Sequence, residues 1–291
     1  MPDPIRSVAR RFPAVPTVEG AGVRLRRSFS NAEVPLFDPF LLLDRFGSSN
    51  PEDYLAGFPW HPHRGIETIT YVLNGRVEHG DTLGNSGVIA NGDVQWMNSG
   101  SGIVHQEMPK RTDGAFSGFQ LWLNRPAAEK MSSPAYRGLS HEQIPRLPTD
   151  LGGEVKVVAG SFGGTEGPVR GISVDPEYLD VRLTPDEVLD LPVAAGRTAF
   201  AHAIDGSGSF EGADSSPVPA GETVLFGDGG SVRARAGNQG MRFLLASGRP
   251  LHEPVAWYGP IVMNSREELA AALLELRRGD FVKERRPILE G

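Results

Sequence analysis

Two short segments of the sequence each carry a pair of side chains that commonly bind metal ions. The first, FPWHPHRGIE, contains His61 and His63, and the second, IVHQEM, contains His105 and Glu107. Alternate residues of a β-strand point to the same face, so each pair shares a face if its segment is a strand. The length between the segments suits one or two hairpins that bring the second pair opposite the first. The spacing therefore predicts a metal site.

The ligand types limit the chemistry of this site. Three neutral imidazoles and one carboxylate form a closed set for zinc, or a six-coordinate site for iron, manganese, nickel or copper with two positions open to water or substrate. The sequence contains no cysteine, so a thiolate site and a disulfide framework are both excluded. Glu67 competes with Glu107 as the carboxylate, because it follows His63 by four residues and keeps the same facing in a continuous strand. We interpret His79 and Asp81, in the intervening hairpin, as turn residues.

The composition excludes several classes of partner. The chain has 291 residues, a formal net charge of -7 and an isoelectric point near 5.6, so it lacks a broad basic surface for nucleic acid. We interpret the local run of Arg24, Arg26 and Arg27 as the solvated face of a strand. The segment MPDPIRSVARRF has no apolar h-region, and no later stretch approaches the ~20 apolar residues of a membrane span. We therefore expect a cytoplasmic protein that binds neither nucleic acid nor a membrane.

Glycine and proline divide the chain into short strands. There are 36 glycines and 24 prolines, and the apolar or alternating runs between them are typical of an all-β sandwich or barrel. Turns such as Asn74-Gly75 and Asp205-Gly206 supply residue types that tolerate positive φ. The pattern predicts strands at residues 66–73, 94–97, 116–123, 155–158, 179–183, 198–204, 223–226 and 241–246.

The two halves of the chain share a coarse pattern that indicates a duplicated β domain. TITYVLNGRVEHGD in the first half has a counterpart, AFAHAIDGSGSFEG, in the second, and this period is too long for a solenoid. The polar, proline-rich stretch 125–148 between them suits an interdomain connection. We expect an N-terminal metal-binding domain at 1–132, a linker at 133–147 and a C-terminal domain at 148–291.

One helix is predicted, close to the end of the C-terminal domain. Ser265 and Glu268 have the spacing of a capping box, and Gly279 follows the last turn. The leucines between these ends recur at helical spacing and should pack against the β core; they are Leu269, Leu273 and Leu276.

The segments around the two pairs of metal-binding residues resemble the signature segments of the pirin family. The resemblance rests on FPWHPHRGIETITYVLNG, GDVQWMNSGSGIVHQEMP and GFQLWLN, with DPFLLLDRFG upstream and EPVAWYGPIVMNSREEL downstream. It covers nearly the whole chain and is strongest over residues 37–124. Pirins are bicupins, so the resemblance implies an all-β fold of two cupin barrels, each a double-stranded β-helix or jelly roll, with a C-terminal helix.

The resemblance also implies which residues bind the metal. Pirins hold one divalent metal, commonly iron, in the N-terminal barrel alone; manganese, nickel, copper and zinc are the alternatives. The family's ligands fall on His61, His63, His105 and Glu107. Glu67 is then outside the ligand set, where it could orient a ligand or pair with Arg64. The matching strand of the second barrel offers His202 alone, so we expect that barrel to be metal-free and His202 to be an ordinary buried or interdomain histidine.

The family contains both enzymes and regulators. Several pirins resemble quercetinases, so the resemblance implies a quercetin 2,3-dioxygenase-type oxidoreductase that opens a flavonol with dioxygen, with Glu107 accepting the flavonol hydroxyl proton while it remains near the metal. The alternative is a non-enzymatic, iron-binding regulator whose contacts with a protein partner depend on redox state. A zinc-dependent sugar isomerase is a third option, which the pirin-like segments disfavour. A deep apolar cavity above His61 and His105 favours the enzyme, and we expect a monomer.

Overall fold

The computed structural model describes residues 4–212 and 216–285, and most of these residues lie in β-strands. Within these ranges the only α-helix is α1 (Arg266–Arg278), and no helix there has the length and apolarity that a membrane span needs. Single 3-10 turns lie at Asn31–Glu33, Pro51–Asp53, Ala127–Glu129 and His141–Gln143. The strands in chain order are β1 (Val8–Pro13), β2 (Val15–Glu19), β3 (Val23–Phe29), β4 (Phe40–Ser48), β5 (Phe58–His63), β6 (Ile66–Asn74), β7 (Arg76–Asp81), β8 (Ser86–Ile89), β9 (Val94–Asn98), β10 (Ile103–Lys110), β11 (Phe116–Asn124), β12 (Ala135–Leu139), β13 (Arg146–Pro148), β14 (Glu154–Ala159), β15 (Ser161–Phe162), β16 (Thr165–Glu166), β17 (Glu177–Leu183), β18 (Val188–Pro192), β19 (Thr198–Phe210), β20 (Val218–Pro219), β21 (Glu222–Phe226), β22 (Ser231–Gly248), β23 (Ala256–Tyr258) and β24 (Ile261–Met263).

The chain folds into two compact units, each built from separate stretches of sequence. Unit I contains the described residues 15–34, 40–141 and 251–285, and unit II contains 4–14, 35–39, 142–212 and 216–250. Residues 4–14 therefore belong to the unit formed mainly by the second half of the chain, and residues 251–285 belong to the unit formed mainly by the first half. Both assignments differ from the domain limits expected from the sequence. β1 pairs with β21 of unit II, and β24 bridges to Arg64 of unit I through Ile261.

Unit I consists of two antiparallel sheets and a small hairpin. The strand order is β12-β9-β6-β11-β4-β3-β2 in the larger sheet and β5-β10-β7-β8 in the smaller, and β23 pairs with β24. Phe46 and Val72 of the larger sheet pack with Val77 and Ile89 of the smaller in one apolar cluster. The two sheets therefore face each other across a core, as in a β-sandwich or flattened barrel.

A row of polar side chains crosses the inner face of the larger sheet. Thr70 on β6 lies opposite Gln120 on β11, Gln120 lies opposite Asp44 on β4, and Asp44 lies opposite Arg27 on β3. Directly paired residues point to the same face, and Phe46, two residues after Asp44, belongs to the core on that face. The inside of unit I is thus polar at the level of this row and apolar at the next.

Unit II is a β-structure with its own apolar core. Its sheet has the order β1-β21-β19-β22-β17-β14-β13, with β18 on β22 and β20 on β19, and β15 pairs with β16 separately. His202 on β19 is buried, and its Nδ1 shares a 2.8 Å hydrogen bond with Oγ1 of Thr223 on β21. This agrees with the expectation of an ordinary buried histidine.

The local predictions of secondary structure agree with the structure. Each of the eight strands expected from the sequence lies within an observed strand, and α1 has Ser265 as its N-cap and Gly279, with a φ of 81°, as its C-cap. β5 contains Pro59 and Pro62, which cannot donate to a ladder. It is an edge strand of the smaller sheet, where the missing donors are tolerated.

Candidate metal centre

Three histidines come together on neighbouring strands of the smaller sheet. β5 and β10 pair antiparallel, with His105 directly opposite His61 and Ile103 opposite His63. One ring nitrogen from each of the three histidines lies within 4.8 Å of the other two. The structure therefore brings three of the four expected ligands into one group, which we call the histidine group.

The hydrogen bonding of these rings fits a divalent metal. His61 donates from Nδ1 to the Pro59 carbonyl at 2.9 Å, which leaves Nε2 with its lone pair. His105 is fully buried, and neither of its ring nitrogens has a hydrogen-bond partner among the described residues. Buried polar atoms without partners are costly, and a metal ion would satisfy one of these nitrogens.

The protonation states fit the same conclusion. Burial lowers the pKa of His63 well below its ordinary value, and the nearby His61 lowers it further, although the Pro260 backbone opposes the shift. Burial also lowers the pKa of His105 well below its ordinary value, together with His61, His63 and His79. His63 and His105 are therefore neutral near pH 7, which is the form of imidazole that binds metals.

Glu107 is buried on β10, two residues after His105, and its carboxylate is held by the larger sheet. Thr70 Oγ1 donates to Oε1 at 3.0 Å, and Gln120 Nε2 donates to Oε2 at 2.8 Å. The set of ligand atoms within 4.8 Å of one another comprises the three imidazoles. The role of Glu107 as the fourth ligand stays a prediction.

Glu67, the competing carboxylate, is buried elsewhere. The chain turns at Gly65, where φ is 77°, and β5 and β6 belong to different sheets, so the continuous strand that relates Glu67 to His63 does not form. Glu67 accepts a 2.9 Å hydrogen bond from Trp96 Nε1 and pairs with Arg125. Glu67 and Thr70 are three residues apart on β6, so their side chains point to opposite faces of the sheet. Glu67 therefore does not share the face from which Thr70 and Gln120 contact Glu107.

The expected pairing of Glu67 with Arg64 is wrong. The Arg64 guanidinium lies 2.7 Å from a carboxylate oxygen of Glu275 and donates to the Phe281 carbonyl at 2.8 Å. Its partners come from the last stretch of unit I, so no local pattern around residue 64 could reveal them.

His79 lies beside the histidine group, which the sequence analysis did not predict. It is buried on β7, its Nε2 donates to Asp81 Oδ2 at 3.0 Å, and its ring stacks on Tyr136 with centroids 4.4 Å apart. The His79 ring centroid is 5.5 Å from that of His105. Asp81 accepts hydrogen bonds from the backbone N–H groups of Leu83 and Asn85 in the following turn. The interpretation as a turn residue therefore agrees for Asp81 but not for His79. The signal available in the sequence was the alternation of His79 and Asp81 along one strand.

A cavity of about 510 Å³ opens beside the histidine group. This volume lies within the usual range of small-molecule sites. Trp122 forms an edge contact with His63, with centroids 5.1 Å apart, and lies 6.0 Å from Trp257. The lining residues are Glu19, Gly20, Ala21, Arg27, Ser30, Asn31, Leu42, Asp44, Phe58, Pro59, His61, His63, Gln120, Trp122, Trp257, Gly259 and Pro260.

Arg27 forms part of this cavity, which corrects its interpretation as a solvated residue. β3 alternates, so Arg24 and Arg26 are exposed, whereas the Arg27 side chain is only 21% exposed. Arg27 donates to both carboxylate oxygens of Asp44, at 2.8 and 2.7 Å, and to Glu19 Oε1 at 2.9 Å. Burial raises the pKa of Asp44, and the paired guanidinium opposes this shift.

Comparison with known proteins gives matches over nearly the whole chain. Residues 22–123 match the pirin family model, and residues 178–282 match that of the pirin C-terminal cupin domain. A pirin-like protein of Caulobacter vibrioides is 45% identical over 279 residues, 96% of this chain and 100% of that protein. A Pseudomonas aeruginosa protein provisionally named quercetin 2,3-dioxygenase is 41% identical over 278 residues, 94% of this chain and 97% of its own length.

Solved structures show the same architecture. A quercetin 2,3-dioxygenase from Acinetobacter baumannii aligns with a TM-score of 0.88 and 28% identity, over 96% of this chain and 99% of that one. A bacterial pirin from Escherichia coli, solved in complex with nickel(II), aligns with a TM-score of 0.62 over 85% of this chain and 99% of its own. Its 22% identity shows the fold alone. The expected fold of two cupin domains with a C-terminal helix is confirmed.

Proposed function

Because the chain belongs to the pirin family, we propose that it is a metal-dependent dioxygenase that opens flavonols such as quercetin. The observation that carries this proposal is the histidine group, two of whose members, His61 and His63, line a cavity of about 510 Å³. Relatives from Pseudomonas aeruginosa and Vibrio cholerae, 41% and 35% identical, carry quercetin 2,3-dioxygenase as a provisional name, which supports the choice of substrate.

His61, His63 and His105 are the residues that would hold the metal, with Glu107 as the proposed fourth ligand. Iron is the expected metal, and manganese, nickel, copper and zinc are alternatives because imidazole and carboxylate bind all of them. When bound, the metal would supply Lewis-acid activation of the flavonol hydroxyl and an open position for dioxygen.

Glu107 is the proposed general base for the flavonol hydroxyl. Its two carboxylate oxygens accept hydrogen bonds from Thr70 and Gln120, which fix the plane of the carboxylate. Gln120 is oriented in turn, because its Oε1 accepts from Trp122 Nε1 at 2.9 Å. A base that is held in one orientation can take a proton without first reorganising.

The cavity supplies a binding surface for a planar substrate. Phe58, Trp122 and Trp257 line it together with Leu42. Flat aromatic faces suit a flavonol, because ring stacking adds to the free energy gained from buried area. The regulator alternative needs the same metal but no cavity, so the presence of this cavity favours the enzyme.

The test is the metal content of anaerobically purified protein together with dioxygen uptake and carbon monoxide release on addition of quercetin. We expect about one metal ion per chain, the stoichiometry of a single mononuclear site, and uptake that is lost in His105→Ala. The exposed His141 provides the matched control, since His141→Ala should keep both metal and turnover. Metal-loaded protein that consumes no dioxygen with any flavonol, across several metals, would leave the regulator as the better reading.

A further inference from the structure

One wall of the cavity carries an excess of negative charge. Glu19, Arg27 and Asp44 all line the cavity, and the single guanidinium binds both carboxylates. The wall therefore has a net charge of about -1, since each of these groups contributes one charge. Arg27 remains a cation, because although burial opposes it, its contacts with Asp44 and Glu19 raise its pKa.

This charged wall is set apart from the histidine group along the larger sheet. Gln120 contacts Glu107, Asp44 is on the next strand, and Arg27 is on the strand after that. Neighbouring strands are about 4.8 Å apart, so Arg27 is roughly 10 Å from Gln120. A ligand held at the histidine group and extended along the cavity would place its far end at this wall.

A carboxylate wall distinguishes ligands by the chemistry of that far end. A hydroxyl group donates a strong, charge-assisted hydrogen bond to a carboxylate. An anionic group cannot donate and is repelled, more strongly where water is partly excluded. Arg27 cannot reverse this preference, because its single positive charge is smaller than the two negative charges of Asp44 and Glu19 that it binds.

We infer that Glu19 and Asp44, held in place by Arg27, select aromatic substrates whose end remote from the metal bears neutral hydroxyl groups and reject those that are anionic there. This inference rests on the proposed function for the orientation of the ligand. It goes further by assigning specificity to a set of residues that do not bind the metal.

The experiment compares three flavonols that share the metal-facing end and differ on the outer ring, which bears two hydroxyls, no substituent or a sulfonate. Their dissociation constants are measured by calorimetry, under nitrogen, with metal-free and with zinc-loaded protein, so that no turnover intervenes. The variant is Glu19→Gln, which keeps the shape of the side chain and removes its charge. The control is Glu78→Gln, which removes the same charge from an exposed residue of unit I that pairs at the surface with Lys110.

We expect wild-type protein to bind the dihydroxy ligand about tenfold more tightly than the unsubstituted one, and the sulfonate about tenfold more weakly, as one hydrogen bond to a charged group implies. In Glu19→Gln the dihydroxy ligand should lose most of its advantage and the sulfonate should gain about tenfold. Glu78→Gln should match wild type. This crossed change is not expected from a general loss of stability.

The outcomes separate this inference from the proposed function. Equal affinities for the three ligands in wild type, or an equal effect of the Glu19 and Glu78 variants, would overturn the inference and leave the enzyme standing. The expected order of affinities without dioxygen uptake would support the charged wall and refute the dioxygenase. Failure of all three ligands to bind would overturn both.

Discussion

Gln120 donates from Nε2 to Oε2 of Glu107 across 2.8 Å, from the larger sheet of unit I to the smaller. Thr70 binds the other carboxylate oxygen from the same side. The orientation of Glu107 is therefore set by the sheet that does not carry the histidine group. The spacing of the sheets and the geometry of the proposed general base are linked.

Removing either donor should loosen Glu107. We expect Thr70→Val and Gln120→Leu each to lower metal affinity or turnover by about 10- to 100-fold, the usual effect of partners that orient ligands. The double variant should lose less than the sum of the two losses in free energy, because both act on one carboxylate. Metal titration and steady-state turnover measure these effects. Strictly additive losses would show that the two donors act independently.

The two buried glutamates should respond differently to neutralisation. Glu107→Gln should weaken metal binding by about 10-fold or more if Glu107 is a ligand. Glu67→Gln should leave metal affinity unchanged but destabilise the fold by about 1 to 3 kcal/mol, because the buried Arg125 then keeps only the partly exposed Glu129 as a carboxylate partner. Metal titration and urea unfolding of both variants test this. A loss of metal in Glu67→Gln alone would assign the fourth ligand to Glu67.

Lys130 should give unit I a pH-dependent stability. Its ammonium donates to the carbonyls of Gly65 and Val262 and to Asn124 Oδ1, and burial lowers its pKa from 10.5 to about 7. Between these values the unfolded chain binds the extra proton, so stability should rise with pH from about 7 to 10.5, by at most about 1.4 kcal/mol per pH unit.

The difference between wild type and Lys130→Met isolates this contribution, because the other groups titrate in both proteins. The unfolding free energy of wild type should rise relative to that of the variant as the pH increases above about 7, and the difference between them should be constant at lower pH. Parallel curves would mean that the pKa of Lys130 is not lowered on folding.

Gly65 should not tolerate a side chain. Its φ is 77°, and an added Cβ would lie 2.1 Å from the Val262 carbonyl oxygen. We expect Gly65→Ala to cost about 2 kcal/mol or more through backbone strain and displacement. Gly87→Ala is the matched control, because a Cβ there meets nothing within 4 Å, and it should change stability by less than about 0.5 kcal/mol. Thermal unfolding of both variants is sufficient.

The parts of the site that were predictable depend on local spacing. Alternation along a strand predicted that His61 and His63 share a face, whereas the approach of His105 to them depends on the pairing of β5 with β10. α1 was predictable because its capping residues and leucines are neighbours in sequence. The shared face of His61 and His63 and the ends of α1 are thus determined by physics that acts over a few residues.

The parts that were missed depend on which strands pair. Glu67 has the spacing of a ligand, but the turn at Gly65 directs the chain into another sheet. Arg27 has the pattern of a surface residue, but β3 pairs with β4 so that Arg27 lies beside Asp44 on the inner face. The assignment of the chain ends to the two units follows from strand partners far away in sequence. Spacing within a segment contains no information about such partners.

Trp257 and Pro260 line the same cavity as His61 and His63 but belong to the last stretch of unit I. A ribosome makes the histidine strand before most of unit II, and it makes this stretch after unit II. While the chain emerges, the proposed metal ligands are therefore present before this part of the cavity wall. Completion of the cavity beside the proposed metal site is then a late event, which follows translation of unit II.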